Sequence, residues 1–227
     1  MYFLEATMKK VGVIISGCGF LDGAEIHETV AVLSALDNHG LEAVCLAPDI
    51  EQMHVINHLT QTVMENEKRN VLIESARIAR CKISALTESS CDELDAIVLP
   101  GGFGVAKNLS SYAVNGDGME TIPVVSEVIK RANGAGKPIV ALCISPVLLA
   151  SVLKQNSPLL TLGASGLDAK NLEKIGGKHQ ITTHEEVVVD KANKLITGPC
   201  YMLDASVGQI MRGADNAISK LKDFLTG

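Results

Sequence analysis

Short runs of aliphatic and β-branched residues punctuate the chain, each closed by glycine, proline or a polar turn. Val11-Gly12-Val13-Ile14-Ile15, Ala43-Val44-Cys45-Leu46-Ala47, Asp95-Ala96-Ile97-Val98-Leu99 and Lys137-Pro138-Ile139-Val140-Ala141-Leu142 have the near-continuous apolar character of strands buried on both faces. Between them, apolar residues recur at helical spacing. Ile26, Val30, Leu33 and Leu36 predict a helix over 24–39 that Gly40 ends, and Val125, Val128 and Ile129 predict another over 122–134. A further helix follows residue 143 and runs through Leu153. Beyond it the pattern gives a short strand over 159–162, a short helix over 168–175 stopped by Gly176-Gly177, and a strand pair over 187–189 and 194–197 turned by 190–193. A long helix over 202–225 closes the chain. Residues 50–80 carry no single period: 52–62 is polar with scattered apolar positions, and 70–79 fits a short strand or a helix. Strands alternating with helices imply an α/β fold with a mostly parallel sheet covered on both faces. In such sheets the site lies at the carboxyl ends of the strands.

Composition narrows this picture. The 227 residues suffice for one sizeable domain, here placed at 8–227; Met8-Lys9-Lys10 reads as a natural start, and residues 1–7 as an extension or tag remnant. Apolar residues make up 47% but aromatics only 3%, so the core must be built from Val, Ile, Leu and Ala. A formal charge of -6 with no Lys/Arg cluster argues against a nucleic-acid partner. No run approaches the ~20 apolar residues of a membrane span, and the start lacks the features of a secretory signal. The six cysteines, Cys18, Cys45, Cys81, Cys91, Cys143 and Cys200, form no Cys-x-x-Cys pair and no metal-ligand spacing. Scattered, unpaired cysteines suit a reducing compartment, and the expected location is the cytoplasm.

Three strand ends are chemically marked: the glycine-rich loop 16–23, the turn Pro100-Gly101-Gly102-Phe103-Gly104, and Cys143 in Ala141-Leu142-Cys143-Ile144-Ser145-Pro146. The last has the layout of a nucleophile elbow, a sharp strand-to-helix turn that presents one side chain at the sheet edge. A helix N-terminus there would favour the thiolate, the reactive form. The remaining cysteines read as packing, except that Cys18 and Cys200 lie in strand-end loops from which a side chain could line a pocket.

Pro100-Gly101-Gly102-Phe103-Gly104 followed by Ala141-Leu142-Cys143-Ile144-Ser145-Pro146 resembles the ThiJ/PfpI superfamily of class I glutamine-amidotransferase-like domains. Ser16-Gly17-Cys18-Gly19, 22–28, 55–60, 69–74, Ala106-Lys107-Asn108-Leu109 and 197–202 further resemble the bacterial ElbB group, labelled enhancing lycopene biosynthesis or isoprenoid biosynthesis proteins, over about residues 8–225. The resemblance implies a flavodoxin-like three-layer sandwich, a homodimer, a nucleophile at Cys143, and a carboxylic acid from the first helix at Glu28. It also implies a glutathione-independent glyoxalase that turns glyoxal into glycolate without a cofactor; relatives have also been called protein deglycases.

That chemistry needs a nucleophile, a proton shuttle and donors for a developing oxyanion. Cys143 would add to the aldehyde and Glu28 would move the proton, with its pKa raised by burial. The Gly101-Gly102 turn, through the Gly102 N–H, and the Ile144 N–H would hold the oxyanion. Some superfamily members place a histidine on the strand after the elbow helix. Leu160-Thr161-Leu162-Gly163 has none, which leaves His58 as the best substitute. A glutamine amidotransferase needs a late His-x-Glu step, and 199–206 contains no histidine. The alternative without catalysis is a redox sensor whose cysteine oxidises beside a carboxylic acid, or a regulatory role linked to isoprenoid metabolism.

Overall fold

In the computed structural model, which describes residues 8–227, the aliphatic runs become the inner strands of a seven-stranded sheet. The strands are β1 (Lys10–Ile14), β2 (Glu42–Ala47), β5 (Ile83–Ala85), β6 (Ala96–Leu99), β7 (Ile139–Leu142), β10 (Val188–Asp190) and β11 (Leu195–Gly198). Their order across the sheet is β10-β11-β7-β6-β1-β2-β5, and every pairing is parallel except β10 with β11. Two-residue strands make two small extra sheets: β3 (Ile56–Asn57) with β4 (Thr62–Val63), and β8 (Leu159–Leu160) with β9 (Lys178–His179).

All four residues of β6 and of β7 are buried, as continuous apolar runs require. Burying side chains such as Leu99 and Leu142 stabilises the fold by roughly 1.5–3 kcal/mol each. The helices are α1 (Ile26–Asn38), α2 (Val71–Ile78), α3 (Phe103–Lys107), α4 (Tyr112–Asn115), α5 (Pro123–Gly134), α6 (Pro146–Val152), α7 (Leu167–Ile175) and α8 (Val207–Thr226). On one face α1 packs along α8 and beside α2, and on the other α5, α6 and α7 pack in turn, as right-handed crossovers from a sheet of this order require. This is the expected flavodoxin-like sandwich with its mostly parallel sheet.

Two expectations change. The closing helix begins at Val207 rather than 202, because Ser206 caps it: its hydroxyl accepts from the Gln209 N–H while the Gln209 side chain accepts from the Ser206 N–H. Residues 200–202 are a 3₁₀ turn instead. The turn at 100–104 is shorter than it reads, since α3 already starts at Phe103. The proposed extension at 1–7 lies outside the described residues.

From β1 the chain builds outward through β2 to β5, then crosses to β6 and builds the other way through β7 to β11. The switch falls between β1 and β6, where the connections leave in opposite directions and open a crevice at the carboxyl ends. The loops after β1, β6, β7 and β11 converge there.

Candidate active site

Cys143 follows β7 directly and takes a left-handed backbone conformation, φ 58°. For a residue other than glycine this costs on the order of 1 kcal/mol or more, so the surroundings must hold it. The Cys143 N–H donates to Gly198 O at 2.9 Å, and the Ser145 N–H to Leu142 O at 3.0 Å. The buried Ser145 hydroxyl donates to Pro100 O at 2.6 Å, which ties the elbow to the glycine turn. Pro146 then opens α6, with its fixed φ suited to a first helical residue.

Glu28 sits in the first turn of α1 and is 0% exposed. The Glu25 side chain starts that helix by accepting from the Glu28 N–H at 2.7 Å. Both carboxyl oxygens of Glu28 are held by backbone donors: Gly101 N–H to Oε2 at 3.0 Å and Tyr201 N–H to Oε1 at 3.2 Å. The carboxyl lies beside the Cys143 thiol, both groups bordering the space that a side chain at Gly101 would fill. Burial raises the Glu28 pKa to about 7, because removing water from the carboxylate outweighs the hydrogen bonds that favour it. At neutral pH the group is therefore poised between acid and base.

Burial also pushes the Cys143 thiol well up, and the charge of an ionised Glu28 pushes it further. The short helix behind the thiol does not reverse this, contrary to the thiolate expected from the elbow alone. Protonating Glu28 removes the repulsion and turns the carboxyl into a donor for the sulfur. The pair thus shares protons as one unit. Cys200, also buried and at φ 42°, lies close enough to add to the field at Cys143.

The glycine turn fits between these groups. A Cβ added at Gly101 would fall 2.6 Å from Glu28 Oε2 and 2.8 Å from Cys143 Sγ. One at Gly102, whose φ is 102°, would collide with the backbone of Gly23, Ala24 and Glu25. The Gly102 N–H faces the Cys143 sulfur. The Ile144 N–H has no acceptor among the described residues and remains available at the same edge. The Gly101 N–H, in contrast, is committed to Glu28, so the turn offers Gly102 rather than Gly101 as an oxyanion donor.

His58 and Cys18 are not brought to the thiol. His58 Nδ1 lies 3.1 Å from Ile56 O and its Nε2 accepts from the Leu21 N–H at 3.3 Å, so both ring nitrogens are occupied. It packs edge-on against Phe20, outside the cavity that reaches Cys143. Cys18 turns toward Glu74, Arg77, Asp22 and Arg69, on the α2 side of the loop, and burial raises its pKa.

Sequence reasoning missed the groups around the cavity. His27, beside Glu28 in the chain, is the one histidine lining it, and its Nδ1 lies 2.8 Å from the Tyr201 hydroxyl. Glu25 Oε1 is 4.0 Å from the same nitrogen. Tyr112 donates to Asp168 Oδ1 at 2.6 Å across the α4–α7 side. Asn108 holds the β1 loop from below, its amide donating to Ser16 O at 3.0 Å and to Asp22 O at 2.9 Å. The only sequence signal for these was position, next to Glu28 or inside the 106–109 and 197–202 segments. Among the described residues no cluster of three or more His, Cys, Asp or Glu side chains is arranged to hold a metal ion. None of the helices is long and apolar enough to cross a membrane among those residues.

The chain is similar to known proteins over most of its length. The model of the DJ-1/PfpI family matches residues 15–201. The chain is 41% identical to the ES1 protein homolog, mitochondrial, of Rattus norvegicus, over 96% of this chain and 84% of that one. It is equally identical, over the same shares, to the glutamine amidotransferase-like class 1 domain-containing protein 3, mitochondrial, of Homo sapiens. A crystal structure of an isoprenoid biosynthesis protein with amidotransferase-like domain from Ehrlichia chaffeensis superposes with a TM-score of 0.89 at 33% identity, covering 96% of this chain and all of that one. Drosophila melanogaster DJ-1beta shares the fold, with a TM-score of 0.53 at 18% identity over 96% of each chain.

Proposed function

This chain belongs to the DJ-1/PfpI family, and from that footing we propose that it is an enzyme whose Cys143 adds to a reactive carbonyl, with the conversion of glyoxal to glycolate as the reference reaction. The observation that carries the reading is the buried Glu28 carboxyl, with a pKa of about 7, packed beside a thiol at a strained elbow. A carboxyl tuned to neutral pH can both take and return a proton there.

The steps follow from the groups present. The Cys143 sulfur attacks one aldehyde carbon and its proton passes through Glu28 to the oxygen, giving a hemithioacetal. The Gly102 and Ile144 N–H groups stabilise the negative charge that develops on that oxygen. Glu28 then removes the hydrogen on the same carbon and passes it to the neighbouring carbonyl oxygen, forming an enediol; it next takes the proton from the first oxygen and delivers it to the neighbouring carbon. The product is a glycolyl thioester, which water cleaves to glycolate and free thiol. Overall one glyoxal and one water give one glycolic acid.

The two rival readings fit less well. Hydrolysis of glutamine needs an imidazole on the thiol, and His179 and His184 are engaged elsewhere, with the Leu162 N–H and Asp204 O respectively. Selective oxidation by peroxide favours an exposed thiolate, whereas Cys143 is 7% exposed with its pKa pushed up. The test is glycolate formation from glyoxal by the intact protein, with Cys143→Ala and Glu28→Gln as controls. A wild-type rate equal to that of Cys143→Ala rejects the reading.

A further inference from the structure

The cavity that reaches Cys143 has a volume of about 930 Å³. Pockets of roughly 300–1,000 Å³ are those that enclose drug-sized ligands, and glyoxal, with two carbons, leaves nearly all of this space empty. The walls explain what the space could take. Phe20, Phe103, Leu167, Met202 and Leu203 are among the lining residues, and Phe20, Phe103 and Leu167 are solvent-exposed. Solvent-exposed apolar side chains grouped around a concave site are the usual mark of an apolar ligand.

Charge sharpens the assignment. Three carboxylates, Glu25, Asp168 and Asp204, lie along the cavity, and no Lys or Arg side chain among the described residues lines it. Lys107 sits over the ring of Phe103, 5.3 Å from its centroid, but is not among the lining residues and donates to Leu21 O at 2.8 Å. An anion entering would lose its water, meet like charges and find no cation to replace them.

Building on the cysteine–carbonyl reading above, we propose that the site selects 2-oxoaldehydes carrying a neutral apolar body, such as an aryl or branched alkyl group, and discriminates against anionic ones. The reactive aldehyde sits at Cys143 while the body lies between Phe103 and Leu167.

The experiment compares kcat/KM for glyoxal, phenylglyoxal and 4-carboxyphenylglyoxal, a near-isosteric pair that differs in charge. A second arm follows backbone amide shifts of Ile144 and Leu167 on adding acetophenone or benzoate. The expected result is a kcat/KM for phenylglyoxal about tenfold or more above both glyoxal and the carboxylated analogue. Leu167→Lys should narrow the gap between the charged and uncharged aryl substrates. Equal use of glyoxal and phenylglyoxal, or of the charged and uncharged pair, overturns the selectivity while leaving the cysteine chemistry intact. If none of the three is consumed, the reaction itself is rejected and binding decides the rest. Shifts with acetophenone but not benzoate then support the apolar, anion-excluding site, and equal shifts with both overturn it.

Discussion

The Gly101 N–H donates to Glu28 Oε2 at 3.0 Å, so the residue that lets sulfur and carboxyl approach each other also fixes the carboxyl in place. Glycine serves both ends at once. Its missing side chain leaves room for Cys143 and Glu28, and its backbone aims Glu28 at the thiol.

Gly101→Ala should therefore damage the site more than a turn mutation ordinarily would. The added carbon overlaps Cys143 Cβ and comes within 2.6 Å of Glu28 Oε2, in a buried place with little room to relax. We expect glyoxal turnover to fall at least about a hundredfold, and stability to fall by roughly 1–3 kcal/mol in urea melts. Unchanged turnover in Gly101→Ala would mean that the three groups are not packed as described.

The raised Glu28 pKa has a consequence for stability. An unfolded glutamate titrates at 4.5 and the folded one at about 7, so between those values the folded protein binds more protons. Stability from this group is complete below pH 4.5, declines as pH rises, and is lost above pH 7. The full swing is about 3 kcal/mol. Glu28→Gln, which cannot ionise, should lack this decline. The check is the difference in unfolding free energy between wild type and Glu28→Gln across pH 4.5 to 7.5. A difference that does not vary with pH contradicts the assignment.

The two histidines near the β1 loop should behave oppositely. His58 has both ring nitrogens engaged outside the cavity, so His58→Ala should keep kcat within about twofold of wild type. His27 lines the cavity and pairs with the Tyr201 hydroxyl. His27→Ala and Tyr201→Phe should each lower kcat/KM about tenfold, by removing a polar contact near the reacting carbonyl. Steady-state kinetics on the three variants separates the roles.

Much of this arrangement is readable in the sequence because its main parts are short-range. The aliphatic runs 11–15, 95–99 and 138–142 can only be strands buried on both faces, and their order brings the loops after them together. Cys143 is legible for the same reason, lying directly after a strand end, whereas Glu28 is reached only through the resemblance of segment 22–28. Residues 50–80 resisted because side chains, not periodicity, shape them. The β3–β4 hairpin hangs on Asp22, whose Oδ2 accepts from the Ile56 N–H at 2.6 Å. In α2 the buried face includes Glu74 and Ser75, so no apolar stripe announces the helix. His58 and Cys18 misled because sequence does not show where their side chains go: both His58 ring nitrogens face backbone at Leu21 and Ile56, and Cys18 lies toward α2. The cavity itself is invisible locally, since its lining comes from α1, α3, α4, α7 and the 3₁₀ turn after β11.

The decisive measurement is the rate of glycolate formation from glyoxal at pH 7 by wild type, Cys143→Ala and Glu28→Gln, each confirmed folded by circular dichroism. If Cys143 carries the carbon and Glu28 the proton, Cys143→Ala falls to the uncatalysed rate and Glu28→Gln falls by at least about a hundredfold. Equal rates in all three proteins would show that the glycolate is made without this pair.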